Sequence, residues 1–253
     1  MSLQEPKAWK KAWIRHEKTT YWCKAADVPG LPNSALVLLL QGLFDQFRDY
    51  SFFILRNRIS VNYQPSEMDL GMIKLVAKRW KIEEWDSAAL QEGPLVEIVA
   101  GDDGFFIPTL PRRVARLAQT QLQDRSEVPR LLRELEMQVN RNGDLHDQAR
   151  PIGAVLTDEF GVVLGSSVHN GVINKTLHAE VDLLQQFARQ GLPFRDGFQI
   201  YVSLKPCHMC AGMIHHCGIR SIFFQDDDPG PKARGTILER TKVIEQLKHP
   251  LRQ

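Results

Sequence analysis

Apolar residues recur along this chain with two spacings, one near 3.6 and one of 2, and the changes of spacing fall at turn residues. Ala35 to Phe47 is apolar over a helical length. Phe52 to Tyr63 reads as strand, with a hairpin turn near Asn57. Ser66 followed by Asp69 has the form of a capping box and opens a predicted helix through about Trp80. Leu95 to Ala100 reads as strand, and Gly101-Asp102-Asp103-Gly104 as a turn before Phe105. Residues 1–120 thus read as a mixed α+β unit with no catalytic motif.

The pattern sharpens afterwards. Pro129 suits the first turn of a helix running to about Asn140, and the polar stretch Arg141 to Arg150 follows it. Ile152 to Thr157 and Val162 to Ser167 are β-rich runs joined by Asp158-Glu159-Phe160-Gly161, a predicted hairpin. Leu177, Val181, Leu184 and Ala188 have helical spacing, and Gly191 suits the stop of a helix from Leu177 to Gln190. Gln199 to Leu204 is a strand, Cys207 to Cys217 a helix opened by Pro206, and Ser221 to Gln225 a further strand. Strand, helix and strand with such short joints make a parallel crossover. Thr241 to Lys248 reads as a short closing helix. No internal repeat and no low-complexity tract emerges from this reading.

Composition narrows the class. At 253 residues the chain has room for one large domain or two small ones, and 43% hydrophobic with 25% charged residues is ordinary for a soluble globular protein. No run of about 18 apolar residues is present, so no membrane partner is expected and the cytoplasm is the default location. A net charge of +2 predicts no partner by itself. Residues 1–24 are locally basic through Lys7, Lys10, Lys11, Arg15, Lys18 and Lys24, with Trp9, Trp13, Tyr21 and Trp22 among them. Such a stretch can hold nucleic acid by phosphate contact and base stacking. It can equally be an amphipathic segment docking its Trp faces on the fold, and charge runs ordinarily mark solvated faces.

Three of the four cysteines, Cys207, Cys210 and Cys217, cluster, which in a cytoplasmic chain favours a metal or redox role. Cys207 and Cys210 share a helix face, and their place in the first turn favours thiolate over thiol. Two such thiolates suit Zn²⁺, but no second Cys-x-x-Cys closes a four-ligand structural site. His178 supplies a third ligand, Thr176 or Asn174 being the candidate N-cap that puts it at a helix entry. One His and two Cys leave a position for water, and Glu180 is then the proton carrier. His-x-Glu or Cys-x-x-Cys alone says little; the compound pattern is the signature of zinc nucleobase deaminases. Cys217 and Cys23 read as core, His208 as pointing away from the ligands, and Asp226-Asp227-Asp228 as a solvated loop.

Residues from about 125 to 240 resemble the cytidine deaminase-like superfamily, and among its members the tRNA adenosine deaminases. The resemblance is carried by Pro151-Ile152-Gly153-Ala154-Val155-Leu156, by His169-Asn170, and by the run from Tyr201 through Cys207 and Cys210 to Gly212. It implies a three-layer α/β/α fold with a mixed sheet over residues 121–253, preceded by a smaller α+β domain over residues 1–120. It implies one Zn²⁺ on His178, Cys207 and Cys210, catalysis by Glu180, and substrate contacts from Asn170, Ala179, Pro206 and His216. It also implies a homodimer acting on RNA, tRNA above all. Deamination of a free base or nucleotide is the second reading, and a non-catalytic zinc-binding subunit the third; the intact Glu180 counts against the third. Three departures stand out: Lys205 where the family has Glu, His169 where it has an aromatic, and an end soon after Arg240 where the family has a longer helix.

Overall fold

The structure is a computed structural model. It describes residues 9–26, 28–47, 56–77, 79–86, 93–101, 104–105, 121–140, 151–168 and 174–247. Two five-stranded mixed sheets carry the fold.

The basic start of the chain forms a hairpin. Strands β1 (Lys10–His16) and β2 (Thr19–Ala25) pair antiparallel. Ala12 and Ile14 are buried on the face toward α1 (Ala35–Gln46), whose N-cap Ser34 accepts from Val37 N at 3.1 Å. On the other face Trp13 meets Trp85 edge to face, and Lys11 lies over the Trp22 and Trp85 rings. Trp13 therefore docks as the amphipathic reading expects, whereas Trp9 stays 48% exposed and Trp22 and Lys11 only half-buried.

β3 is shorter than predicted, Ile59–Val61, and pairs with β1 rather than folding into its own hairpin. Residues 48–55 lie outside the described ones. The capping box at Ser66 and Asp69 is present and opens α2 (Glu67–Val76). The helix stops at Val76, not near Trp80. Ala77 turns extended, and Ile59 N takes the Arg79 carbonyl at 3.1 Å, which draws Trp80–Ile82 into β4, parallel to β3. β5 is confined to Leu95–Glu97 and joins the far edge beside β2. Of the predicted turn, Gly101 and Gly104 are described: Gly104 N donates to Gly101 O at 2.8 Å, and Gly104 takes φ 77°.

The second sheet follows the predicted order closely. α3 (Val128–Asn140) precedes the hairpin β6 (Gly153–Thr157) and β7 (Val163–Val168). Asp158 Oδ1 accepts from Phe160 N and Val162 N, and Gly161 takes φ 81°, which closes the turn. α4 (Ala179–Ala188), β8 (Gln199–Leu204), α5 (His208–His216) and β9 (Ser221–Asp226) complete the crossover, β9 running parallel to β8. One face of this sheet packs Val155, Tyr201 and Phe223 against Val128, Leu132 and Leu135 of α3. The other face carries α4 and α5, giving three α/β/α layers. After α6 (Ile237–Arg240) the expected closing helix over Thr241–Lys248 is not found: Ile244–Gln246 is β10, parallel to β9. Lys242 at φ 56° breaks the helix, and Leu247 N on Phe224 O at 2.8 Å fixes the strand.

The sheets share one continuous apolar core that includes Leu40, Met72, Leu184 and Met213. Helices α2 and α5 meet backbone to backbone. A Cβ on Gly71 would lie 2.3 Å from the His208 carbonyl oxygen, and one on Gly212 would lie 2.3 Å from that of Glu67. Among the described residues no helix is long and apolar enough to cross a membrane.

Candidate metal centre

The centre is built where α4 and α5 begin. Neither Thr176 nor Asn174 caps α4; His178 itself is the N-cap, with extended backbone (φ −66°, ψ 161°), and its side chain makes no capping bond. The physical reason is local: Asn174 is used in its own turn, its Oδ1 accepting from Thr176 N at 3.1 Å. Cys207, extended at φ −71° and ψ 173°, is likewise the N-cap of α5 without capping it by its thiol. Both side chains are turned toward each other instead.

His178 Nδ1 lies 3.6 Å from Cys207 Sγ and 3.5 Å from Cys210 Sγ, and the two sulfurs are 3.7 Å apart. A tetrahedral zinc with Zn–S of about 2.3 Å and Zn–N of about 2.1 Å requires ligand edges of about 3.8 and 3.6 Å. The triangle thus has the dimensions of three vertices of such a site. Among the described residues these three are the group of His, Cys and acidic side chains spaced to hold a metal ion. Two helix N-termini point their positive ends at it, which favours thiolates. The hydrogen bond with Cys210, with His178 adding its charge, holds Cys207 well below the ordinary thiol range despite its burial. Burial pushes Cys210 well above it. For His178, burial acts downward, but the bond to Cys207 and that thiol's charge outweigh it and raise the imidazole.

Glu180, in the first turn of α4, is 4% exposed, and burial raises its carboxyl above the ordinary carboxylate value, against the pull of His178. A buried carboxyl whose pKa is raised toward neutrality is suited to carrying a proton. Ala179 and Pro206 are buried and adjoin His178 and Cys207 in sequence. His216 is the last residue of α5, roughly 9 Å of helical rise beyond Cys210. His169 and Asn170 lie outside the described residues. Cys217 is core as expected, and burial pushes the Cys23 thiol up to about 12, which leaves it inert.

Lys205 finds acids from elsewhere, Glu239 at 2.7 Å and Asp227 at 3.3 Å. His208 points off the triad and lines a cavity of about 230 Å³ with Lys74, Leu75, Pro231 and Lys232. Lys232 is close enough for its charge to act on His178. Nothing in the spacing of Lys74 or Lys232 marks them in sequence; only the packing of α2 on α5 brings Lys74 here.

A paired-helix His/Cys/Cys centre with a buried Glu is the arrangement of zinc deaminases. Residues 143–248 match the family of Bd3614-like deaminases. Curated relatives agree: the tRNA-specific adenosine deaminase of Haemophilus influenzae is 35% identical over 31% of this chain and 47% of its own length. That of Agrobacterium fabrum is 33% identical over 38% of this chain and 64% of its own. A solved structure of a tRNA:A34 deaminase is 26% identical, with a TM-score of 0.37, over 46% of this chain and 91% of that one. The second half of the chain is thus similar in sequence to deaminases over residues 143–248. The chain spans less than two thirds of the length of these curated relatives.

Proposed function

We propose that the chain is a zinc-dependent hydrolytic deaminase whose substrate is adenosine in RNA, tRNA above all, converted in place to inosine with release of ammonia. The observation that carries the reading is the zinc-sized triangle of His178, Cys207 and Cys210 with the buried Glu180 beside it. Zinc, when bound there, supplies a water that ionises near neutral pH. The raised pKa of Glu180 suits it to take one proton from the attacking water and give it to the ring nitrogen, and then to carry the second proton of that oxygen to the amine as the C–N bond breaks and ammonia leaves. The low exposure of Cys210 and Glu180 keeps bulk water from that exchange.

The choice of RNA rests on the relatives, named as tRNA-specific adenosine deaminases, and on charge. A polyanion suits a cavity rimmed by Lys74 and Lys232. The aromatic and basic face of β1 and β2 is a second surface fit for an unpaired strand, with Lys11 and Lys24 beside Trp9, Trp22 and Trp85. The test is incubation of zinc-loaded protein with tRNA, adenosine, nucleotides and free bases, read by mass spectrometry. Inosine in tRNA supports the reading. Turnover confined to a free base or nucleotide overturns the RNA substrate, and no turnover of any amine overturns the deaminase.

A further inference from the structure

The two sheets repeat one connectivity. In the first, the antiparallel hairpin β1–β2 leads into α1, β3 returns antiparallel to β1, and α2 crosses to β4, parallel to β3. In the second, the hairpin β6–β7 leads into α4, β8 returns antiparallel to β6, and α5 crosses to β9, parallel to β8. The strand orders, β4-β3-β1-β2 and β9-β8-β6-β7, correspond position for position. Registers correspond too: Ala12 faces Val61 as Ala154 faces Val202.

The sequence agrees once the elements are aligned, contrary to the expectation of no repeat. Ser34-Ala35-Leu36-Val37-Leu38-Leu39-Leu40-Gln41 matches His178-Ala179-Glu180-Val181-Asp182-Leu183-Leu184-Gln185 at five of eight positions. Pro65-Ser66-Glu67-Met68-Asp69-Leu70-Gly71-Met72-Ile73 matches Pro206-Cys207-His208-Met209-Cys210-Ala211-Gly212-Met213-Ile214 at five of nine. Among the mismatches are the residues with chemistry. Ser34 takes the place of His178, Ser66 that of Cys207, Asp69 that of Cys210, and the buried Leu36 that of Glu180. The three polar substitutes, Ser34, Ser66 and Asp69, satisfy one another. Ser34 Oγ donates to Asp69 Oδ1 at 2.5 Å, and Ser66 Oγ to Asp69 Oδ2 at 2.9 Å. Hydrogen bonds thus hold together what a metal would hold in the second half.

The contact between the halves is symmetric. Gly71 meets His208 and Gly212 meets Glu67, which are themselves equivalent positions. Gln41 and Gln185, also equivalent, bond to each other. Residue i touching j while the counterpart of j touches that of i is the signature of a two-fold pair. We propose that residues 10–82 are a second, metal-free copy of the deaminase fold, serving the zinc-bearing copy as a permanent partner within the same chain. The partner contributes Lys74 to the cavity beside His208 and covers one face of α5. The homodimer expected from the sequence is thereby replaced by an internal pair.

The proposal rests on His178, Cys207 and Cys210 being metal ligands, and the test separates the two. In the full chain, Ser34→His, Ser66→Cys and Asp69→Cys together should add a second equivalent of zinc by elemental analysis. That equivalent should persist when Cys207→Ala removes the first. A folded triple variant that gains none overturns the duplication. Zinc gained by the triple variant, with none in the unsubstituted chain, upholds the duplication and overturns the metal centre. A second measurement needs no substitution: the unsubstituted chain should sediment as a monomer at low micromolar concentration, and a stable dimer there overturns the partner role.

Discussion

Gln41 and Gln185 stand 144 residues apart and exchange amide hydrogen bonds at 3.1 and 3.2 Å with no solvent exposure at either side chain. Gln185 Nε2 also donates to the Pro32 carbonyl at 3.1 Å, so the pair ties the entry of α1 to α4. Gln41→Leu leaves the Gln185 carbonyl oxygen without its donor in a dry core. The expected loss is about 1–3 kcal/mol in urea unfolding. Adding Gln185→Leu should recover part of it, because the orphaned group is then gone; a double variant no more stable than Gln41→Leu alone would refute this account.

Glu180→Gln preserves size and should leave zinc content unchanged. Turnover should fall on the order of 10²–10⁴-fold, the range for a lost proton carrier. Near-normal turnover in zinc-loaded Glu180→Gln would assign the proton work to another group.

Lys205 and Glu239 set a pH dependence. Burial acts upward on Glu239, but the bonds from Lys205 and Thr236 N outweigh it and hold the carboxyl below its ordinary value. A depressed carboxyl stabilises the fold above its unfolded pKa and loses that contribution as pH falls through the folded value. The bond to Glu239 raises Lys205, so its contribution is present below the ordinary lysine value and lost above it. Glu239→Gln keeps the capping geometry at Thr236. Its melting temperature should lie below that of the unsubstituted chain through neutral pH, and the gap should close in acid. A gap independent of pH would remove the ion pair as its cause.

Lys11→Ala with Lys24→Ala tests the basic face of the first hairpin. RNA affinity should drop, and the slope of log affinity against log salt should flatten by about 0.7 per lost phosphate contact on a single strand. Unchanged slope and affinity would place the RNA contacts elsewhere.

The second sheet was legible because each element carries its own local signal: Gly161 and Gly191 at positive φ, Pro206 before a helix, alternating strands between them. The three side chains that meet at the candidate metal centre, His178, Cys207 and Cys210, were legible through the compound motif rather than through either spacing alone. What failed was tertiary. Ile244–Gln246 has no strong strand pattern and becomes one by pairing with β9. Trp80 continued the apolar spacing of α2, yet pairing of β4 with β3 won. The repeat is masked in the sequence because the residues that announce a candidate metal centre, His178, Cys207, Cys210 and Glu180, are the ones exchanged in the first half. What both halves keep, Pro65 and Pro206, Gly71 and Gly212, is packing and turn chemistry.

The contact at Gly71 and Gly212 also bears on exchange kinetics. Helix α5 and its N-cap carry two of the three candidate ligands, Cys207 and Cys210, and no side-chain layer separates the helix from α2 at this crossing. It cannot fray alone to let an ion escape; the helix crossing and the common core must open with it. Release of zinc to a chelator should therefore be slow, saturate with chelator concentration, and share the temperature dependence of unfolding, with barriers of tens of kcal/mol, rather than that of ligand exchange in water.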